Sequence, residues 1–318
     1  MIHTAHLSIE LKGEHIYYKD NNHGKNTSFN HIMKENGLFG IKAKQYRSHG
    51  VPRCSIFIDV TKILNRGNIV EADYWSINRF VKSALNKVYG DEKLYDNHNL
   101  VRIDYRVDKK VPLASHRELY MHLYQQTKGS FKRLRKDKKE YKTTMYHKCK
   151  SIHTIIYDKN EQCKNNNREP EEWERDAIRF EVCLKNSHIY NRVKGTGEMK
   201  SLYSFFKEDV FNEYIQQYLF RIFPTGDFYK FDLAEELISS SKYSLTIRRR
   251  LKHFLEKVSN GNLDTPLNNF YPDSIKKDAY KKRIQNFKEL NLNPITIPQV
   301  YKINKLPSLL DITCLQML

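Results

Sequence analysis

The stretch Arg102-Ile103-Asp104-Tyr105-Arg106-Val107-Asp108 alternates polar and apolar residues without a break. No other feature constrains the chain as much. A period of two belongs to a strand with one buried face and one polar face. On such a strand Asp104 and Asp108 share a face with Arg102 and Arg106, while Ile103, Tyr105 and Val107 turn to the core. Further strands are legible at His6–Leu11, Arg53–Val60, Ser151–Tyr157 and Ala177–Leu184.

Helical periodicity fills the intervals. Asp73 is placed to cap a helix through Val88, with Ile77, Phe80, Val81, Ala84, Leu85 and Val88 on its apolar stripe. Ser115-x-x-Glu118 reads as a capping box opening a helix from Ser115 to about Thr127. The resulting order predicts an α+β fold, an antiparallel or mixed sheet with helices on one face. From Leu202 the pattern turns helical. Leu202, Phe205, Phe206, Val210 and Tyr214 predict one long helix, and Asp232–Ser239 a second. A third carries Ile247, Leu251, Phe254, Leu255 and Val258 inward, with Arg248, Arg249, Arg250 and Lys252 outward, and ends at Asn260-Gly261. Ser274 opens a fourth, through about Leu290. The expected boundary lies at 186–200, separating a domain over 1–190 from a mainly helical one over 200–318. The last two basic helices, joined by a loop, are compatible with a helix-turn-helix-like DNA-binding unit. A helical cap with a solvated basic side would give the same pattern.

Charge points to the partner. Lys and Arg number 55 against 37 Asp and Glu, a net +18 over 318 residues. That excess suits a polyanion, nucleic acid first. The basic run Lys132–Lys142, with Lys132, Arg133, Arg135 and Lys136 at its start, sits between a helix and a strand. It is placed to act as an arm on phosphates, although such runs are usually solvated faces. Five cysteines without a paired framework suggest reduced thiols and a cytoplasmic location. No segment reaches the length of a membrane span, so no membrane partner is expected.

The chemistry-bearing residues cluster late in the strand-rich part. Tyr157 is followed directly by Asp158 and Lys159, then Glu161, and Glu181 lies on the strand Arg179-Phe180-Glu181-Val182. Alternation puts His153 and Tyr157 on one face and Asp158 on the other unless a bulge intervenes. With the strands as neighbours, Asp104, Glu181 and either Asp158 or Glu161 would converge near Tyr157. Oxygen ligands of this kind suit Mg²⁺ or Mn²⁺. Tyrosine, with an ordinary pKa of about 10, would attack a phosphodiester to give a phosphotyrosyl intermediate. Taken singly, each piece has an ordinary reading: Asp104 with Arg102 or Arg106, and Glu181 with Arg179, are the ion pairs expected on strand surfaces.

Three of these strings, Arg102-Ile103-Asp104, Tyr157-Asp158-Lys159-Asn160-Glu161 and Arg179-Phe180-Glu181, resemble those of rolling-circle replication initiators. The similarity is to the gene II/gene X-type proteins of filamentous phages and the related plasmid Rep_trans initiators, and it covers about residues 1–200. In this chain the last acid of the tyrosine block sits one place early, and none of the 13 histidines forms a His-x-His pair. The resemblance implies a ferredoxin-like nicking domain that cuts one strand at an origin. It also implies Tyr157 as nucleophile, Lys159 as auxiliary cation, and Asp104, Asp158 and Glu181 as ligands of Mg²⁺ or Mn²⁺. Implied partners are double-stranded origin DNA, the single-stranded nick site, a host helicase and polymerase, and a second copy as a homodimer. The alternative expectation is a basic DNA-binding protein without catalysis, a repressor or copy-control protein. Two other readings are weaker. His147, Cys149, His153 and Cys163 carry zinc-ligand chemistry at a spacing that fits no familiar finger. An RNA-binding sheet would need an aromatic pair on a central strand, and Phe57 and Tyr105 do not supply one.

Overall fold

The computed structural model describes residues 1–12, 34, 37–127, 132–133, 143–267 and 275–310. Eight strands build the main sheet: β1 (Ile2–Glu10), β2 (Ile41–Ser48), β3 (Val51–Asp59), β4 (Asn99–Lys110), β5 (Lys132–Arg133), β6 (Thr144–Lys148), β7 (Ile152–Asp158) and β8 (Ala177–Lys185). They lie in the order β2-β3-β1-β4-β8-β7-β6-β5, and every neighbouring pair is antiparallel. The class is therefore α+β. The two strands that carry most of the sequence argument, β4 and β8, are direct neighbours at the centre.

Register separates the two faces. Across β4 and β8, Asp104 opposes Cys183, Arg106 opposes Glu181 and Asp108 opposes Arg179. Across β7 and β8, His153 opposes Cys183 and Tyr157 opposes Arg179. Directly opposed residues share a face, so these side chains line one polar face. On the other face Ile103, Tyr105, Phe180, Val182 and Leu184 are fully buried. Helices α1 (Val60–Leu64) and α2 (Tyr74–Tyr89) lie between β3 and β4, and α3 (Ala114–Tyr124) follows β4. The apolar stripe Ile77, Val81, Ala84, Leu85 and Val88 of α2 is buried, as its spacing requires. From α3, Tyr124 packs edge-on against Phe180 at 5.6 Å.

Helix α4 (Lys159–Asn165) lies between β7 and β8, and past β8 come α5 (Asn186–Thr196), α6 (Leu202–Phe205) and α7 (Glu208–Tyr218). The long helix expected from Leu202 to Tyr214 is two helices. Phe205 and Phe206 are both buried, and the helix breaks where Lys207 takes an extended backbone conformation before Glu208 opens the next one. The Tyr105 hydroxyl donates to Phe205 O at 2.7 Å, and its ring lies 5.8 Å from Phe211. Residues 202–223 thus pack on the apolar face of the sheet.

The remainder holds α8 (Phe231–Ser240), α9 (Leu245–Ser259) and α10 (Lys277–Glu289), with a two-stranded pair of β9 (Phe228–Tyr229) and β10 (Lys305–Leu306). Ser274, expected to open the last helix, lies outside the described residues. Two capping expectations differ from what is found. Helix α3 starts at Ala114 with no side-chain cap; instead Arg117 donates to Val111 O at 2.7 Å and Pro112 O at 3.0 Å. Asp73 makes no cap bond to α2. It accepts from Val70 N at 2.9 Å and pairs with Arg66. Strand β2 was not legible, because only Ile41 and Ala43 of its inward positions are apolar and Gln45 and Arg47 follow them.

Candidate active site on the polar face of the sheet

Tyr157, near the end of β7, donates its hydroxyl proton to Glu181 Oε1 at 2.9 Å. The same oxygen lies 2.9 Å from His3 Nδ1. His3 reaches this position because the β1–β4 register shifts between Ile2 and Thr4. Such an irregularity re-aims side chains that strict alternation would assign elsewhere. Beside this group lies Arg179, fully buried, holding Asp108 through Nε at 2.7 Å and through Nη2 at 2.9 Å. Arg179 Nη1 is 3.4 Å from His3 Nε2 and 4.0 Å from Glu181 Oε1. Arg106 completes the set, with Nη1 3.6 Å from Asp108 and a second nitrogen bonded to Gly67 O.

The electrostatics follow from burial and neighbours. Burial holds the Tyr157 phenol well above its ordinary pKa, and the Glu181 charge adds to that. The resting hydroxyl is therefore protonated. Burial alone would raise the Glu181 carboxyl, but the His3 hydrogen bond and charge, Arg179 and the Tyr157 hydroxyl outweigh it and bring its pKa down to about 2. The Asp108 carboxyl is likewise lowered: burial opposes ionisation, and Arg179 and Arg106 overcome it.

The depressed Glu181 pKa fixes a pH dependence. Its folded value lies below the ordinary glutamate value of about 4.3. The stabilisation is thus present above that value and is lost as pH falls toward 2. Wild type is expected to lose on the order of 3 kcal/mol from this group over that window, and Glu181→Gln to lack that part of the acid limb. Urea midpoints at pH 6, 4 and 2 measure it; parallel loss in both proteins would show that Glu181 is not held as an anion.

The three carboxylates expected to share a cation are not brought together. Asp104 lies on the polar face but accepts from Thr4 Oγ1 at 2.6 Å and from Arg102 Nε and Nη2, both at 2.9 Å. Asp158 points to the helical face, as alternation from Tyr157 dictates. Its Oδ1 caps α4, accepting from Asn160 N at 2.9 Å and Glu161 N at 3.3 Å. Its Oδ2 accepts from Arg117 Nε at 2.9 Å. Both oxygens are committed to a helix start and a buried guanidinium on the far side of the sheet from Glu181. Among the described residues no group of three or more His, Cys, Asp or Glu side chains is arranged to hold a metal. The predicted ligand set does not fit one shared Mg²⁺ or Mn²⁺. Replacing Asp158 with Ala is expected to cost about 2–4 kcal/mol, the cap plus an unpaired Arg117. Asp158→Asn should recover the cap portion, and thermal unfolding of the two variants checks the split.

Lys159 is nearly buried and pairs with Glu174 Oε1 at 2.9 Å, while also donating to Gln162 Oε1 at 2.8 Å. Its ammonium lies 5.7 Å from the centre of the Tyr157 ring. Burial lowers its pKa, with Arg179 adding to the effect. Glu174 is also gripped by Arg168, at 2.6 Å and 3.1 Å. Lys159 thus steadies the strand-to-helix junction and one side of the tyrosine ring.

The zinc arrangement does not form either. His147 faces the helical side, its ring 5.8 Å from Phe223, whereas His153 shares the polar face with Tyr157. Of the basic residues expected on DNA, Arg249 and Arg250 are exposed on α9. Arg248 is partly buried and donates to Ser239 O, so it ties α9 to α8. Lys132 and Arg133 form the edge strand β5; Arg135 and Lys136 lie outside the described residues. Sequence reasoning missed His3, whose position depends on the β1 irregularity, and Arg117, whose partners lie far along the chain. The pairing of Arg179 with Asp108 was within reach, since both positions fall on the polar face, but Glu181 was the nearer partner in sequence.

No protein-family model matches the chain, and no curated protein matches it. Among the described residues no helix is long and apolar enough to cross a membrane.

Proposed function

We propose that this protein nicks and rejoins one strand of DNA through Tyr157, as an initiator of rolling-circle replication of a plasmid or phage. The observation that carries the reading is the hydrogen bond from the Tyr157 hydroxyl to the Glu181 carboxylate, within a charged cluster on the polar face of a strongly basic chain. A nucleophile and a base within hydrogen-bond reach, the base in turn oriented by a third group, is the arrangement that activates a weak nucleophile. Here Glu181 is the base and His3 the group that orients it.

In the reaction the Tyr157 oxygen forms a bond to phosphorus as the bond from phosphorus to the 3′ oxygen breaks. The phenolic proton passes to Glu181 as attack proceeds, and Glu181, a weak base that does not keep it, gives it up through water to the leaving 3′ oxygen, which ends as a hydroxyl. The products are a 5′-phosphotyrosyl strand and a free 3′-OH; the reverse reaction rejoins them. Arg179, with Nη1 4.0 Å from Glu181 Oε1, adds positive charge beside the reacting pair. Tyr157 is 5% exposed, so a phosphodiester meets the hydroxyl only after the groups covering the ring have moved aside, with the bond to Glu181 kept. Strand binding has to supply that movement.

The burial of Tyr157 also favours a second reading, a DNA-binding protein whose polar face is structural. One denaturing gel separates the two. Supercoiled plasmid carrying the cognate replicon, and single-stranded pieces of it, are incubated with the protein in Mg²⁺, in Mn²⁺ and in EDTA. A nick with DNA covalently held by the protein supports tyrosyl transfer. Binding without a cut or an adduct in any of the three conditions leaves the second reading.

A further inference from the structure

The basic helices expected to form a DNA-binding pair were α9 and α10. The structure joins α9 more tightly to α8. Helix α8 ends at Ser240, the turn spans 241–244, and Ser244 caps α9 by accepting from Ile247 N at 3.4 Å. Two side chains of α9 reach back to α8: Arg248 to Ser239 O, and Lys252 Nζ to Glu235 Oε1 at 3.2 Å. Ala234 and Ile238 of α8 are buried in the same core as Leu251, Phe254, Leu255 and Val258 of α9. Helix α10 closes this core from the other side, with Tyr280 and Phe287 at 5.7 Å and 5.6 Å from Phe254. The β9–β10 pair joins the entry to α8 with the chain beyond α10.

Two helices joined by a short turn, with a third helix behind them, make up a helix-turn-helix, whose second helix enters the major groove by its N-terminal residues. In α9 those residues are chemically suited to the task. Thr246, Arg249, Arg250 and His253 are all exposed, and their spacing of i, i+3, i+4 and i+7 aligns them on one stripe. No ion pair among the described residues holds Arg249 or Arg250, whereas Arg248 and Lys252 on the same helix are spent on α8. Glu256, one turn beyond, lies 3.9 Å from His253, so the basic part of the stripe is its N-terminal end at Arg249 and Arg250.

We infer that α8 and α9 form a helix-turn-helix that reads duplex DNA in the major groove, with Thr246, Arg249, Arg250 and His253 toward the bases. Arginine suits this role because its planar fork meets guanine O6 and N7 with two bonds at once. The proposal goes beyond strand cleavage. It requires no reaction at Tyr157, so it stands or falls separately from the function proposed above.

The test uses the full chain carrying Tyr157→Phe, which removes any covalent trapping. The protein is taken through successive rounds of selection on a pool of 30-base-pair duplexes of random sequence. The winning duplex, its two separate strands and a scrambled duplex are then compared by titration. A defined motif should emerge, bound more tightly as duplex than as either strand. Arg249→Ala with Arg250→Ala should weaken binding to that motif at least tenfold and bring it close to the scrambled duplex. Both side chains are exposed, so unfolding should not confuse the result; an unchanged thermal midpoint confirms this. A third variant, Lys281→Ala with Lys282→Ala on α10, should cost the motif and the scrambled duplex alike. Selection of no motif, preference for single strands, or full motif binding by the double arginine variant would overturn the proposal.

Discussion

Arg179→Ala is expected to lower the stability of the fold by about 3–5 kcal/mol. Arg179 is fully buried on the central strand β8 and holds both oxygens of Asp108 on β4, at 2.7 Å and 2.9 Å. Truncation leaves the half-buried Asp108 with only Arg106, 3.6 Å away, to offset its charge. Losing a fully buried guanidinium and stranding its half-buried carboxylate partner is among the few causes of losses this large. It also leaves space between His3 and Tyr157, where a second penalty for lost packing arises. Urea denaturation at pH 7 measures the change. Arg179→Ala combined with Asp108→Ala should lose clearly less than the sum of the two single variants, because the second truncation removes the charge stranded by the first. A loss below about 1 kcal/mol for Arg179→Ala would mean that water reaches Asp108 freely, and the cluster would then be a surface network.

Tyr157→Phe is expected to abolish covalent attachment to DNA and to reduce strand cleavage by at least about 10³-fold, the scale of losing a nucleophile for which nothing substitutes. The benzyl ring keeps its place beside Lys159, so DNA binding should persist. The fold should lose no more than about 1.5–3 kcal/mol, the range for a hydrogen bond to a charged group, because Glu181 retains His3 at 2.9 Å. Glu181→Gln offers a finer cut. The amide can still accept from the phenol but cannot take its proton at neutral pH, so cleavage should fall by about 10²–10⁴-fold while the ring stays in place. Cleavage and adduct formation are read on denaturing gels, and binding by titration of labelled single strands. Full cleavage by Tyr157→Phe would assign the chemistry to another residue, Tyr146 or Tyr190 being the next tyrosines along the chain to examine.

How far the sequence led depends on the element. Alternation in Arg102–Asp108 predicted the polar and apolar faces of β4, and the same period put Tyr157 and Asp158 on opposite faces of β7. Both hold because a period of two survives wherever a strand has one buried face. The apolar stripe of α2 was legible for the equivalent reason at a period of 3.6. The convergence of Asp104, Asp158 and Glu181 was not realised. Asp158 is recruited by the first turn of α4 and by Arg117, demands that arise from tertiary packing and leave no trace in the strand pattern. The split between α6 and α7 was hidden because Leu202, Phe205, Phe206 and Val210 keep a helical spacing across the extended Lys207. His3 could not be placed, since its orientation depends on a local register shift that nothing in the opening residues announces.

The strand β7 has one property that bears on how this protein would respond to random mutation. Its backbone is gripped from the helical side, where Asp158 meets Arg117 and the start of α4, and it delivers a side chain to the opposite side one residue earlier. A library screened only for altered behaviour at the polar cluster would therefore be expected to return substitutions in α3, at and around Arg117, although that helix never touches the cluster. The sheet separates the two environments chemically while joining them mechanically, so the tolerance of Tyr157 to change is set partly by residues on the far side of a single peptide plane.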